Sequence, residues 1–140
     1  MDWTLEVVLV PVGDIDRAKR FYGEQVGFAV DFDTDAGGGI RNVQLTPPGS
    51  ACSIVLTTLN HTPTGQVRTP PGSAQGLQLV VSDVQAARAQ LAERGVEVSE
   101  VVHFQDGAWA PGPGGAWNSF VFFNDPDGNG WLLQERPADR

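Results

Sequence analysis

Few side chains in this sequence can move a proton, hold a metal or attack an electrophile near neutral pH. There are two histidines, His61 and His103, and one cysteine, Cys52. A metal site built mainly from imidazole would require both histidines. His61 stands in a stretch rich in Pro and Thr, and such connections run over the surface, so a solvated loop residue is expected there. His103 ends an apolar run just before a loop carrying Trp109. An imidazole titrates near neutrality, which makes His103 the candidate catalytic base. The competing reading is a strand-end histidine bonded to backbone. Glu6, Asp106 and Glu135 could transfer protons, although solvated surface charge is the simpler account of each. Cys52 has no evident His partner and reads as an inert thiol. Gly37-Gly38-Gly39 does not join a strand to a helix, so it is not a phosphate loop. Trp109 and Trp117 bracket a Gly/Pro-rich loop. An aromatic on such a loop is a candidate lid over a ligand; packing on a rim or a dimer interface is the alternative.

The elements that must position these residues occur twice. Val12-Gly13-Asp14-Ile15-Asp16-Arg17-Ala18 returns as Val81-Ser82-Asp83-Val84-Gln85-Ala86-Ala87. Each copy ends an apolar run, turns at a small residue plus Asp, and opens an amphipathic stretch that closes at Gly27 or Gly95. A repeat of this kind fixes the architecture. In the first copy, Leu5 to Val12 reads as a strand buried on both faces. Asp14 caps a helix carrying Ile15, Ala18, Phe21 and Tyr22. Strands follow at Phe28–Phe32, Ile40–Leu45 and Ser53–Thr57. In the second copy, Leu77–Val81 is a strand and Asp83–Arg94 a helix. Val96–Val102 is a strand, Gly107–Gly115 a loop, and Trp117–Phe123 and Trp131–Gln134 the last strands. The result is α+β: two tandem βαβββ units, residues 1–58 and 76–136 joined by a linker over 59–75, within one domain of 1–140.

Composition narrows the function. Acidic residues outnumber basic ones 17 to 9, giving a formal charge of −8. That excludes a nucleic-acid phosphate surface as the expected partner and favours cationic ligands. A lone cysteine permits no intrachain disulfide and no cysteine-rich zinc site. No apolar run reaches the roughly 18 residues of a membrane helix. The first eleven residues lack the features of a signal peptide. A soluble cytoplasmic protein is expected.

The segments Val12–Gly27, Leu77–Gly95 and Asn124–Glu135 (NDPDGNGWLLQE) together resemble the vicinal oxygen chelate superfamily, which holds glyoxalase I, extradiol dioxygenases and bleomycin-resistance proteins. The resemblance implies two half-open barrel units around a concave ligand cavity, with helices on the convex side. Metal-dependent members place His, Gln or Glu ligands on the first and fourth strands of each unit. Those positions fall here on Val7, on Gly76, on Leu132, and on Val55 or Ser53. None supplies a good donor, so no metal and no other cofactor is expected.

Strand alternation then assigns the cavity face. Val7, Leu9, Val80, Leu132 and Phe122 would supply apolar surface, with Val55 beside them. Asn42, Gln44, Ser53, Thr57, Gln78 and Gln134 would supply neutral polar groups, and Trp109 and Trp117 would contact the ligand. Either mutual bonding of those polar groups or a β-bulge would change this picture. The expected function is metal-independent binding or sequestration of an aromatic or polycyclic small molecule. The alternatives are a metal-independent isomerase, lyase or cyclase of secondary metabolism with His103 or a carboxylate as base, and a metal-dependent lyase or dioxygenase with displaced ligands. A homodimer is expected because family members commonly pair and leave sheet edges to cover. Trp3 and the linker around His61 are the expected contacts.

Overall fold

The computed structural model describes residues 1–59, 63 and 69–139. The chain divides into two compact units: Met1–Ala74 with Pro126–Asn129, and Gln75–Asp125 with Gly130–Arg140. His61 and about half of the expected linker lie outside the described residues.

The first unit contains β1 (Val7–Leu9), α1 (Ile15–Arg20), β2 (Ala29–Gly37), β3 (Ile40–Thr46) and β4 (Ser53–Thr57). The sheet order is β1-β4-β3-β2, with β1 parallel to β4 and the other pairs antiparallel. The parallel pair follows from the helical crossover between β1 and β2. Asp14 caps α1 by accepting from the Arg17 amide at 3.0 Å. The helix continues as a π-helical segment over Phe21–Val26, and the Gly27 amide bonds the Tyr22 carbonyl five residues back. Gly27 ends it at φ 97°. The wide turn seats Tyr22, fully buried, against Phe21 and Phe28 at ring distances of 5.1 and 5.9 Å. Val10, Val12, Val43, Leu45, Ile54 and Leu56 complete this core. β1 is three residues long and not buried on both faces as its apolar run suggests: Leu5 and Leu9 are exposed.

The return segment Pro126–Asn129 belongs to this unit. Fully buried Asn129 donates from Nδ2 to the Pro11 carbonyl (2.8 Å) and accepts the Ala74 amide (3.0 Å). Asp127 accepts the Gly13 amide and pairs with Arg17, each at 3.1 Å.

The second unit contains β5 (Leu77–Val81), α2 (Val84–Glu93), β6 (Val102–Gln105), β7 (Ala108–Pro111), β8 (Phe120–Asn124) and β9 (Gly130–Glu135). Its order is β5-β9-β8-β6-β7, with β5 parallel to β9. Asp83 caps α2 through the Ala86 amide, repeating the role of Asp14. Val84, Leu91, Val96, Val121, Phe123, Trp131 and Leu133 form the core, with Phe123 and Trp131 stacked. The fold is α+β, and neither sheet closes.

This unit departs from βαβββ. Trp109 lies in strand β7, not in a loop, because Asp106 (φ 51°) and Gly107 (φ 81°) close a tight β6–β7 hairpin. An Asp-Gly pair between strands favours that turn. Residues 96–101 form only one bridge, Val98 to Phe123. Trp117 precedes β8 in a turn, at φ 62°.

Candidate functional site

Each sheet has one face on its helix and one open face. On the first, pairing sets Val7 beside Ser53, Leu9 beside Val55, Val55 beside Gln44 and Thr57 beside Asn42. All seven expected residues of this unit therefore share the open face. Their polar groups bond largely to one another. Thr57 donates to Asn42 and accepts the Leu59 amide. Ser53 and Thr46 hydroxyls meet at 2.6 Å.

The sequence gives no sign of the acceptor at the end of this network. Asp31 accepts from Gln44 at 3.0 Å and from the Thr46 hydroxyl. The Thr46 bond, then the Gln44 bond, hold its carboxyl below the usual carboxylate range. A bulge lies at this residue, between Val30 and Phe32. Val30 pairs with buried Leu45, and Phe32, two residues on, pairs with Gln44. Asp31 is the extra residue; it faces the open side by alternation from Val30, and the slip turns Phe32 to the same side.

On the second sheet, Gln78 pairs with Leu132, Val80 with Gln134, Phe122 with Leu132 and Phe120 with Gln134. Val102 pairs with Phe120, and Phe104 with Trp109. Trp109 is the hub of an aromatic cluster. It makes edge contacts with Phe104, Phe120 and Phe122 at 5.1, 5.3 and 5.2 Å, yet is 51% exposed. It is a fixed part of a sheet face rather than a mobile lid. Gln78 donates to Gln134, which donates to the Trp117 carbonyl at 2.7 Å. The Asn118 side chain accepts the Phe104 amide and donates to the Phe104 carbonyl, both at 2.9 Å, tying the Trp117 turn to the aromatic strand. Phe104 and Phe120 extend the expected set; the hairpin that faces Phe104 with Trp109 is what brings them in.

His103 does not join this face. It pairs with Ala110, one residue out of phase with Phe104 and Trp109, so its side chain points to the opposite side. Nδ1 lies 2.8 Å from the Gly112 carbonyl and Nε2 3.0 Å from Gln105 Oε1. The Gln105 bond, then the Gly112 bond, raise its pKa. The ring is engaged on both nitrogens and faces away from the Trp109 cluster.

The positions the resemblance assigns to metal do not fit a divalent cation. Val7 and Leu132 carry hydrocarbon. Gly76 sits at φ 76°, where an L side chain would be strained. Ser53 is bonded to Thr46. Among the described residues no three His, Cys, Asp or Glu side chains group together.

The sequence matches the Glyoxalase/Bleomycin resistance protein/Dioxygenase superfamily over residues 4–133. The chain belongs to this superfamily. Among solved structures it is similar to TnmS3, an antibiotic binding protein from Streptomyces sp. CB03234, at 37% identity and a TM-score of 0.73, covering 96% of this chain and 97% of that one. It is also similar to a glyoxalase/bleomycin resistance protein from the same organism, at 38% identity and a TM-score of 0.70, covering 94% of this chain and 100% of that one. The uncharacterized protein YetH of Bacillus subtilis (strain 168) is 25% identical over 128 residues, 91% of this chain and 94% of YetH. No helix among the described residues is long and apolar enough to cross a membrane.

Proposed function

We propose that this protein binds and sequesters a small aromatic or polycyclic organic molecule without a protein-bound metal. The observation that carries the reading is the half-exposed Trp109, held edge-on by Phe104, Phe120 and Phe122 on an open sheet face. An apolar aromatic surface with a few fixed polar groups suits such a ligand. Gln78 and Gln134 lie on the same face as its orienting groups. The 37% identity to an antibiotic binding protein supports sequestration over turnover. His103 lies on the opposite side from this face, which weighs against its use as the base of an isomerase, lyase or cyclase.

The test combines native mass spectrometry of protein from its own host with calorimetric binding of the retained molecule to wild type and Trp109→Ala. Loss of a central aromatic contact should weaken binding by about 1–3 kcal/mol. Unchanged affinity in the variant, or steady conversion of the molecule, would overturn the reading. We also propose a cytoplasmic homodimer. Trp3, 88% exposed, is its proposed contact. Light scattering at micromolar concentration should return twice the chain mass; a monomer mass refutes it.

A further inference from the structure

Most polar side chains on the open faces are bonded to one another: Asn42 to Thr57, Gln44 to Asp31, Gln78 to Gln134. One place in the second unit departs from this pattern. A cavity of about 590 Å3 lies where β8 and β9 meet the segment after α2. Its apolar lining includes Phe122 and Leu132, its polar lining the exposed Glu97 and Asn124 and the buried Asp125. Phe122 is also one of the rings around Trp109, so the cavity adjoins the aromatic cluster through a shared side chain. Among the described residues, no hydrogen bond or ion pair engages the side chain of Glu97 or of Asn124. Gly76 lines the same cavity, and a Cβ there would meet nothing within 4 Å, so space is open at this wall.

Resting on the reading of the Trp109 face as a ligand surface, we infer that this cavity holds a protonated amine of the same ligand, with Glu97 as counter-ion and Asn124 as a neutral hydrogen-bond partner. The ligand class is thereby narrowed to an aromatic compound with a cationic amine. The chemistry is direct. An ammonium has only donors, a carboxylate only acceptors, and an amide oxygen accepts a further N–H. A charge-assisted bond beside an apolar wall is stronger than a neutral one. A carboxylate-bearing ligand would meet like charge from Glu97.

Two probes of matched shape test this: aminomethyl-anthracene, cationic near neutral pH, and anthracene carboxylate. Both are titrated calorimetrically at about 0.15 M salt, so that the long-range field of the acidic protein is screened. Wild type should prefer the ammonium probe by about tenfold or more, the scale of one charged hydrogen bond. Glu97→Gln should remove most of that preference, weakening the ammonium probe and relieving the carboxylate probe of like charge, and Asn124→Ala should weaken the ammonium probe less. Glu93→Gln makes the same change in net charge at an exposed position of α2 and should leave both affinities unaltered. Trp109→Ala should weaken both probes alike. If both probes bind and Glu97→Gln behaves as Glu93→Gln does, the amine site is refuted while aromatic binding stands. If neither probe binds wild type, both readings fall.

Discussion

Replacing Asn129 tests whether the return segment is structural to the first unit. Its side chain is fully buried and bonds to the Pro11 carbonyl at 2.8 Å and from the Ala74 amide at 3.0 Å. In Asn129→Ala the two partners fare differently. The Pro11 carbonyl keeps the Gly72 amide at 3.1 Å, so that side loses one ordinary bond. The Ala74 amide loses its acceptor. One net bond is worth about 1 kcal/mol and a stranded buried donor about 1–3, so destabilisation of roughly 2–4 kcal/mol is expected. Asn129→Asp keeps the acceptor for Ala74 but sets a second oxygen against the Pro11 carbonyl. Burial and that repulsion raise the new carboxyl's pKa in the folded state above its unfolded value. The folded variant then holds its proton more tightly, so the variant gains stability relative to wild type as pH falls. At low pH the neutral acid can donate to Pro11. Urea unfolding followed by far-ultraviolet circular dichroism, near pH 7 and near pH 5, measures both effects. Asn129→Ala within about 1 kcal/mol of wild type, or Asn129→Asp with no pH-dependent gap, would refute the reasoning.

Other outcomes follow from the same geometry. Gly72→Ala should be severely destabilising, since its Cβ would fall 2.1 Å from the Asp127 carbonyl oxygen at φ 83°. Gly38→Ala, at φ 63° with nothing within 4 Å, should lose only about 1–2 kcal/mol in thermal or urea unfolding. Arg41 first, and Lys19 second, hold the Asp33 carboxyl well below the usual carboxylate range. Its contribution is present above the unfolded value near pH 4 and fades as pH falls further. Asp33→Asn should therefore lower urea midpoints at neutral pH, by the roughly 0.2–1 kcal/mol typical of exposed pairs, and the gap should narrow in acid. The raised pKa of His103 works in the other direction. Its contribution is full below about pH 6.5 and is lost as pH rises through the folded value, so His103→Gln should be more destabilising in mild acid than in mild alkali, read from urea midpoints across pH.

The repeat was readable because each copy uses the same local device, an Asp cap ahead of an amphipathic helix. Asp14 and Asp83 both fill that role. Alternation also placed the seven residues from Val7 to Thr57 on one face, since period-2 geometry survives wherever strands are regular. It failed where the backbone breaks period. The bulge at Asp31 re-aims Phe32, and the left-handed turn at Trp117 takes that residue out of β8. The Gly/Pro content around Trp109 suggested a loop and masked the Asp106-Gly107 hairpin signal. His103 stands one step of parity from Phe104 and Trp109, the smallest displacement a strand allows. Which polar groups bond to each other cannot be read from spacing, because Gln44–Asp31 and Gln78–Gln134 join residues far apart in the chain.

The placement of Pro126–Asn129 has a genetic consequence. Two similar sequence halves suggest a duplication whose copies could be separated again by a stop codon. The folded units do not follow that seam, for the chain passes between them after residues 74, 125 and 129. A gene fragment ending at Ala74 would leave the amides of Gly13 and Ala74 without the side chains that accept them, and Pro11 with one donor in place of two. The amino-terminal half alone therefore lacks part of its own compact unit. Fragment complementation, with residues 75–140 supplied as a second polypeptide, would have to return those four residues before the first half could regain its native hydrogen bonds.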